Sequence, residues 1–318
     1  MELPGIVVTG ASGFLGRHLL EAIKEDYRVF GIARRSQATC GAPVHPNIRW
    51  YQADIANRPC VEEAFEDIAR QGGAEIVVHL AAHYDFSGEE HPEYWRTNVH
   101  GLRNVLDLAA VLNPRKVIFS SSVAACKFPP EGVALTEDSP PDGEHIYAVT
   151  KRTGEQMLDE YRDRYPSTIV RFAALFSDWC EYPPLFMFLG TWLSKAWNSR
   201  VLGGRGMSAI PYLHVRDAVA FLCRLFDHLD DFGHGDVLIC STDGAVSHRE
   251  LFEASTDYWF GEKRKPIFMP KFLCGMGIRF MNMIGMLTGE RPFERPWMAQ
   301  YIDKQLTVNA HKTRVRLG

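Results

Sequence analysis

The sequence predicts a doubly wound α/β fold, a parallel sheet with helices on both faces followed by a smaller lobe. Short β-rich runs alternate with helical patterns through the first half, and a glycine-rich turn joins the first strand to the first helix. After about residue 175 the alternation breaks down. Strand–helix units joined by short turns require right-handed crossovers, hence parallel strands.

In order, Ile6–Thr9 is a strand, and Leu15–Glu25 a helix whose apolar face is Leu15, Leu19, Leu20 and Ile23. Arg28–Ala33 is the second strand, and Ile48–Gln52 a third that leads to Asp54. Val61–Ala69 is helical and Ile76–Leu80 a buried strand. Helix Trp95–Leu112, strand Lys116–Ser120, helix Tyr147–Tyr165 and strand Thr168–Phe172 follow. Aromatic and Gly/Pro-rich segments then intervene (Pro183, Pro184, Gly203, Gly204, Gly206) before another α/β-like stretch, Tyr212 to Ile239. The expected division is 1–175 for the sheet and 176–318 for the lobe, with about 212–240 returning to the sheet. The last residues, His311–Arg316, again look helical.

Composition sets bounds. With 318 residues, 46% apolar and 23% charged, the chain can bury one large core or two smaller ones. A net charge of -4 gives no broad cationic excess, so nucleic acid is not an expected partner. Seven cysteines without a CxxC pair suit free thiols in a reducing compartment, with no metal site and a cytoplasmic location. No secretory signal is visible, because Gly5–Val8 runs directly into the glycine turn. Two stretches come nearest to membrane segments. Pro184–Trp197 is too short to span, and Ile267–Leu287 carries Lys271, Arg279 and several glycines. Both read as helices packed on the core, with no integral membrane segment; a peripheral membrane or substrate-access surface is the alternative.

The turn Thr9-Gly10-Ala11-Ser12-Gly13-Phe14-Leu15-Gly16 has the spacing of a dinucleotide-binding Rossmann motif. Gly10 permits the tight turn, Gly13 lets backbone approach a pyrophosphate, and Gly16 allows close helix–strand packing. The helix N-terminus offers its N–H groups to the phosphates, making Ser12, Phe14 and Leu15 candidate contacts as well. At the tip of strand two, where an acid would select NAD, stand Ala33-Arg34-Arg35-Ser36. A guanidinium fork matches a 2′-phosphate, so the expected cofactor is NADP, with NAD the alternative.

Tyr147 and Lys151 lie four apart on a helix, hence on one face, where an ammonium would lower the phenol's pKa. The tyrosine would then exchange a proton near neutral pH while hydride moves at the adjacent carbon. Ser120-Ser121-Ser122 closes a parallel strand at the end where such sheets place ligands, so a serine hydroxyl there can orient a carbonyl or alcohol oxygen.

Together these features resemble the short-chain dehydrogenase/reductase superfamily, in particular its extended branch of epimerases, dehydratases and 3β-hydroxysteroid dehydrogenases. The matching segments are TGASGFLG (9–16), ADI (53–55), HLAA (79–82), WRTNVHGLRNVL (95–106), FSSSVA (119–124), YAVTK (147–151) and YLHVRDAV (212–219). The resemblance implies that Asp54 and Ile55 flank the adenine, the Asp54 carboxylate accepting from its amino group. It implies that Leu80, Ala81 and Ala82 line the cofactor, that Lys151 also bonds the nicotinamide ribose, and that Phe172 lies close to the nicotinamide. Ser122 takes the catalytic serine's place, with Ser121 the fallback, and Asn98 the place of the asparagine that supports the site. His214, Asp217 and His79 read as structural, while His83, Tyr84 and Asp85 could touch substrate or cap the next element. The resemblance also implies a homodimer through the Trp95–Leu112 and Tyr147–Tyr165 helices. Its C-terminal element usually continues beyond a segment like VNAHKTRVRLG, which leaves two readings open, a shortened form of the chain or the first part of a longer protein.

Three departures narrow the reaction. Val123 and Ala124 stand where dehydratases of this branch carry an Asp-Glu pair, so water elimination is not expected. The lobe is rich in apolar aromatics (Phe176, Trp179, Tyr182, Phe186, Phe188, Trp192, Trp197), with only Lys195, Arg200 and Arg205 as cations before Arg216. Arg34 and Arg35 favour NADP, which suits net reduction. The expected activity is hydride transfer to or from the carbonyl or alcohol of a mostly apolar small molecule. The alternatives are an NAD-dependent nucleotide-sugar epimerase and a non-catalytic NADP-binding regulator.

Overall fold

Seven of the β-rich runs pair edge to edge in the order that right-handed crossovers demand. The computed structural model describes residues 3–289 and 294–318. Its main sheet comprises β1 (Gly5–Thr9), β2 (Arg28–Ala33), β3 (Ile48–Gln52), β4 (Ile76–His79), β5 (Lys116–Ser122), β6 (Ser167–Phe172) and β7 (Asp236–Cys240). The strand order is β7-β6-β5-β4-β1-β2-β3, with every pair parallel. The order reverses between β1 and β4, which opens a crevice at the carboxyl ends of the strands.

Helices cover both faces because each strand points side chains alternately to the two sides. On one face Leu19, Leu20 and Ile23 of helix Phe14–Ile23 pack with Leu222 and Leu225 of helix Val215–Asp227. On the other, Phe65, Leu102, Leu106, Phe119 and Met157 make a second core layer. Helix Val215–Asp227 packs on this sheet and β7 pairs with β6, both contributed from beyond residue 175. A separate, smaller cluster of Trp192, Leu202 and Phe252 joins helices Pro183–Trp192 and His248–Phe260.

The structure departs from the sequence expectations in three places. The helix expected over Trp95–Leu112 is a composite, α-helical at Pro92–Trp95 and Leu102–Ala109 with a π-helical turn at Arg96–Gly101 between them. Such a turn carries an extra residue and is usually placed at functional sites. The helix expected over Tyr147–Tyr165 runs Ile146–Leu158 and ends in a 3₁₀ turn, Asp159–Tyr161. The third difference is the largest: helix Lys271–Thr288 buries only Cys274 and Gly285, so most of the Ile267–Leu287 stretch does not pack on the core as expected.

All seven cysteines are free. Among the described residues no helix is long and apolar enough to cross a membrane, and no cluster of His, Cys, Asp or Glu could hold a metal ion.

Candidate active site

The glycine turn adopts a conformation only glycine tolerates. Gly10 has φ +70°, and a Cβ there would meet Ala81 N at 2.6 Å. At Gly16 a Cβ would meet Ala11 Cα at 2.9 Å, so strand and helix approach as closely as the motif predicts. Gly13 is the N-cap of helix Phe14–Ile23, and no side chain caps its first N–H groups, which stay available to an anion. Leu80 N donates to Thr9 O at 3.2 Å, placing Leu80, Ala81 and Ala82 beside this turn.

At the adenine side, Arg35 donates to Ser12 through the serine's carbonyl and, at 3.3 Å, its Oγ. Arg34 lies 3.7 Å from Glu93. Glu93 also binds Arg96, which pairs with Asp54. The Asp54 carboxylate, expected to accept from adenine, also accepts from Arg96 and from Ala56 N at 3.0 Å. The cause is the π-helical turn, which begins at Arg96 and brings its guanidinium to the end of β3. Ile55 is buried there against Gly101. An uncapped helix N-terminus behind a close-packed glycine turn fits the pyrophosphate of a nicotinamide dinucleotide.

The chemical end forms around the carboxyl tip of β5. The two adjacent serines differ sharply. Ser121 Oγ is committed to Glu155 Oε1 at 2.6 Å, inside a buried ion pair in which Glu155 also accepts from Arg171 at 2.9 and 2.8 Å. Ser122 Oγ accepts from Ala124 N at 3.1 Å, makes a long 3.5 Å contact with Phe172 O and hydrogen-bonds the Tyr147 hydroxyl, so of the two serines Ser122 is the one that faces the phenol. The sheet register sets Phe172 directly beside it.

Tyr147 and Lys151 share the inner face of helix Ile146–Leu158, and the Lys151 Nζ lies 5.6 Å from the Tyr147 ring centroid. Burial holds the Lys151 ammonium down at about 8, with Glu155 opposing, and Nζ donates to Ser120 O at 2.6 Å. The expected lowering of the Tyr147 phenol does not appear. Burial pushes it above its ordinary range, Tyr94 adds to the rise, and the Ser122 hydroxyl draws it partly back. Desolvation of the charged form outweighs an ammonium whose proton is directed at Ser120.

Asn98, in the π-helical turn, ties three pieces together. Its Oδ1 accepts from His83 N at 2.6 Å, and its Nδ2 donates to His83 O at 2.9 Å and to Thr150 Oγ1 at 3.1 Å. His79 is buried against Thr9 Oγ1 at 3.0 Å and stacks on Phe119, and His214 caps helix Val215–Asp227 through Arg216 N.

A family model described as "NAD dependent epimerase/dehydratase family" matches residues 6–240. The chain belongs to that family. It is thereby a member of the extended short-chain dehydrogenase/reductase superfamily. It is 28% identical over 169 residues to the 3beta-hydroxysteroid-dehydrogenase/decarboxylase isoform 1 of Arabidopsis thaliana, covering 48% of this chain and 36% of that protein. It is 26% identical over 180 residues to a putative UDP-glucose 4-epimerase of Methanocaldococcus jannaschii, covering 54% of this chain and 56% of that one. The matches thus span about half or less of these relatives. Among solved structures, the UDP-glucose 4-epimerase of Thermotoga maritima with UDP-glucose superposes with a TM-score of 0.74 at 20% identity, covering 99% of this chain and 92% of that one. The Bordetella bronchiseptica enzyme WbmG in complex with NAD gives a TM-score of 0.74 at 20% identity, covering 100% and 88%. These likenesses establish the fold.

In this epimerase/dehydratase-family chain, sequence reasoning missed the surroundings of Tyr147. The Tyr84 ring packs on it at 4.4 Å between centroids. Phe86 follows at 4.6 Å from Tyr84, Tyr182 at 5.8 Å from Phe86, and Tyr212 at 6.0 Å from Tyr182. The alternation Tyr84-Asp85-Phe86, one residue beyond HLAA, was the legible trace of this wall. Glu155 was also readable, four residues beyond Lys151 on the same helical face.

Proposed function

We propose that the chain is an NADP-dependent oxidoreductase that moves a hydride to or from the carbonyl or alcohol carbon of a mostly apolar small molecule. The observation that carries this reading is the run of aromatic rings leading away from Tyr147 through Tyr84, Phe86, Tyr182 and Tyr212. Such a wall takes up flat or aliphatic surface and carries no positive charge to meet a diphosphate. Three cations of this half of the chain are engaged elsewhere: Arg200 donates to Lys265 O, Arg205 lies by Asp303, and Arg216 pairs with Asp178. The buried Tyr212 hydroxyl finds no partner among the described residues, which suits a substrate carrying one polar group at that end.

When bound, the nicotinamide supplies or accepts the hydride. Ser122 Oγ orients the substrate oxygen. Tyr147, whose phenol burial keeps protonated at neutral pH, donates its proton to that oxygen during reduction. Lys151 holds a positive charge behind the tyrosine, and Asn98 fixes the loop and the helix relative to each other. Arg35, with Arg34 nearby, would hold a 2′-phosphate.

A second reading, nucleotide-sugar epimerisation with NAD, is favoured by the names of the relatives that include UDP-glucose 4-epimerases. The two are separated by calorimetry with NADP(H) and NAD(H), followed by turnover screens on apolar carbonyl compounds and on UDP-sugars. Arg35→Ala should weaken NADP about 10- to 100-fold while changing NAD about threefold or less. Tyr147→Phe should reduce turnover about 10²- to 10⁴-fold and leave NADP(H) binding intact. Tight NAD binding with UDP-sugar turnover would overturn the reductase reading, and Tyr147→Phe without effect would point to a non-catalytic regulator.

A further inference from the structure

Helix Lys271–Thr288 is inverted relative to the rest of the protein. An ordinary surface helix turns its apolar stripe inward and its charges outward. Here Leu273, Met276, Phe280, Met283 and Leu287 recur at steps of three and four residues, hence on one face, and every one of them is exposed. Phe272 and Met286 flank that stripe and are also exposed. The opposite side, with Cys274 and Gly285, is where the helix touches the body. An 18-residue helix is about 27 Å long, so the outward stripe is a continuous apolar ridge far beyond scattered surface leucines. The preceding strand, Ile267–Met269, extends it with exposed Ile267 and Phe268.

Charge identifies what the ridge meets. From residue 263 to 289 the sequence holds five cations, Lys263, Arg264, Lys265, Lys271 and Arg279, and no aspartate or glutamate. Arg200 joins them in space, its Nε donating to Lys265 O at 2.8 Å. Lys271 lies 3.5 Å from Asp303, which leaves the other cations on this segment as its main field. The helix is too short and too polar to span a bilayer. An apolar face of phenylalanine, leucine and methionine bordered by cations is the composition that lies in the headgroup region of an anionic membrane.

We propose that helix Lys271–Thr288, with the strand before it, seats this protein on the surface of an anionic lipid bilayer. The apolar ridge inserts to the level of the acyl boundary, and Lys263, Lys265, Arg200 and Arg279 meet the lipid phosphates. This placement does not rest on the proposed reaction.

The test is sedimentation of the whole protein with vesicles of phosphatidylglycerol and phosphatidylcholine, compared with phosphatidylcholine alone, at low and high salt. The protein should pellet with the anionic vesicles, and high salt should weaken its binding. Met276→Glu with Phe280→Glu should reduce binding at least tenfold without changing the unfolding midpoint. Lys263→Gln with Lys265→Gln should reduce it roughly fivefold per charge. A second measurement uses only the unaltered protein: peroxide oxidation of Met276, Met283 and Met286 should slow when anionic vesicles are added. Protein that stays in the supernatant, with methionines oxidised at the same rate, would overturn the proposal. So would a dimer, seen by analytical ultracentrifugation, that binds no vesicles and that the double glutamate variant splits into monomers, because the ridge would then be an interface between copies of this chain.

Discussion

The carboxyl tip of β5 and helix Lys271–Thr288 solve opposite problems with opposite chemistry. Around β5 a charged pair is buried, and its oxygens and nitrogens are satisfied by Ser121, Ser139 and each other. Along the helix, apolar side chains stand in the open. Polar groups withdrawn from water must find partners inside the chain, and this pair does. Apolar groups left outside carry no such obligation, and nothing within the chain fixes their identity. The first region is specified from within; the second answers to its surroundings.

The sharpest way to break that contrast is to remove one buried charge. Glu155→Ala strands the Arg171 guanidinium, which is 3% exposed, and should cost about 3–5 kcal/mol in urea unfolding. A loss below about 1 kcal/mol would mean the guanidinium has another outlet.

His79 gives a gentler test from the same region. Burial lowers it to about 3 from its usual 6.5, with Lys151 adding to the effect. The folded chain holds this imidazole neutral while the unfolded chain protonates it. Its contribution is thus present above about pH 6.5 and is lost as pH falls toward 3. The slope is at most about 1.4 kcal/mol per pH unit. Urea midpoints at pH 7, 5.5 and 4 should fall less steeply for His79→Asn than for the unaltered protein. Parallel curves would place the acid sensitivity elsewhere.

The smallest effect belongs to the helix. Phe280→Gln and Met283→Gln should each change stability by no more than about 0.5 kcal/mol. A loss of several kcal/mol would show that the outward face packs on something in solution.

Legibility in the sequence follows the same divide. The bounds of Arg28–Ala33 and Ile48–Gln52 could be read without error, the first as a buried apolar run and the second as a β-rich edge strand with Ile48, Trp50 and Tyr51 partly covered. The glycine turn was readable just as locally. The π-helical turn at Arg96–Gly101 was not, since one extra residue inside a helix leaves no mark in a short apolar period. Nor was the pairing of Val201–Gly203 with Ile267–Met269, strands too short and too distant to mark themselves. Helix His248–Phe260 did carry a signal, a capping box of Ser247 and Glu250. At the site, spacing placed Tyr147 and Lys151 on one face, but spacing contains no burial, and burial decides which way the Tyr147 phenol moves.

The Glu155–Arg171 pair has a consequence for how this chain can vary over time. Neither residue can be exchanged alone without leaving a charge stranded in the core, so a single nucleotide change at either codon meets a steep barrier. The two positions can drift only as a couple, and Ser121, bonded to the same carboxylate, is drawn into their constraint. Ser122, one residue on, carries no such tie and is free to be judged by the substrate alone.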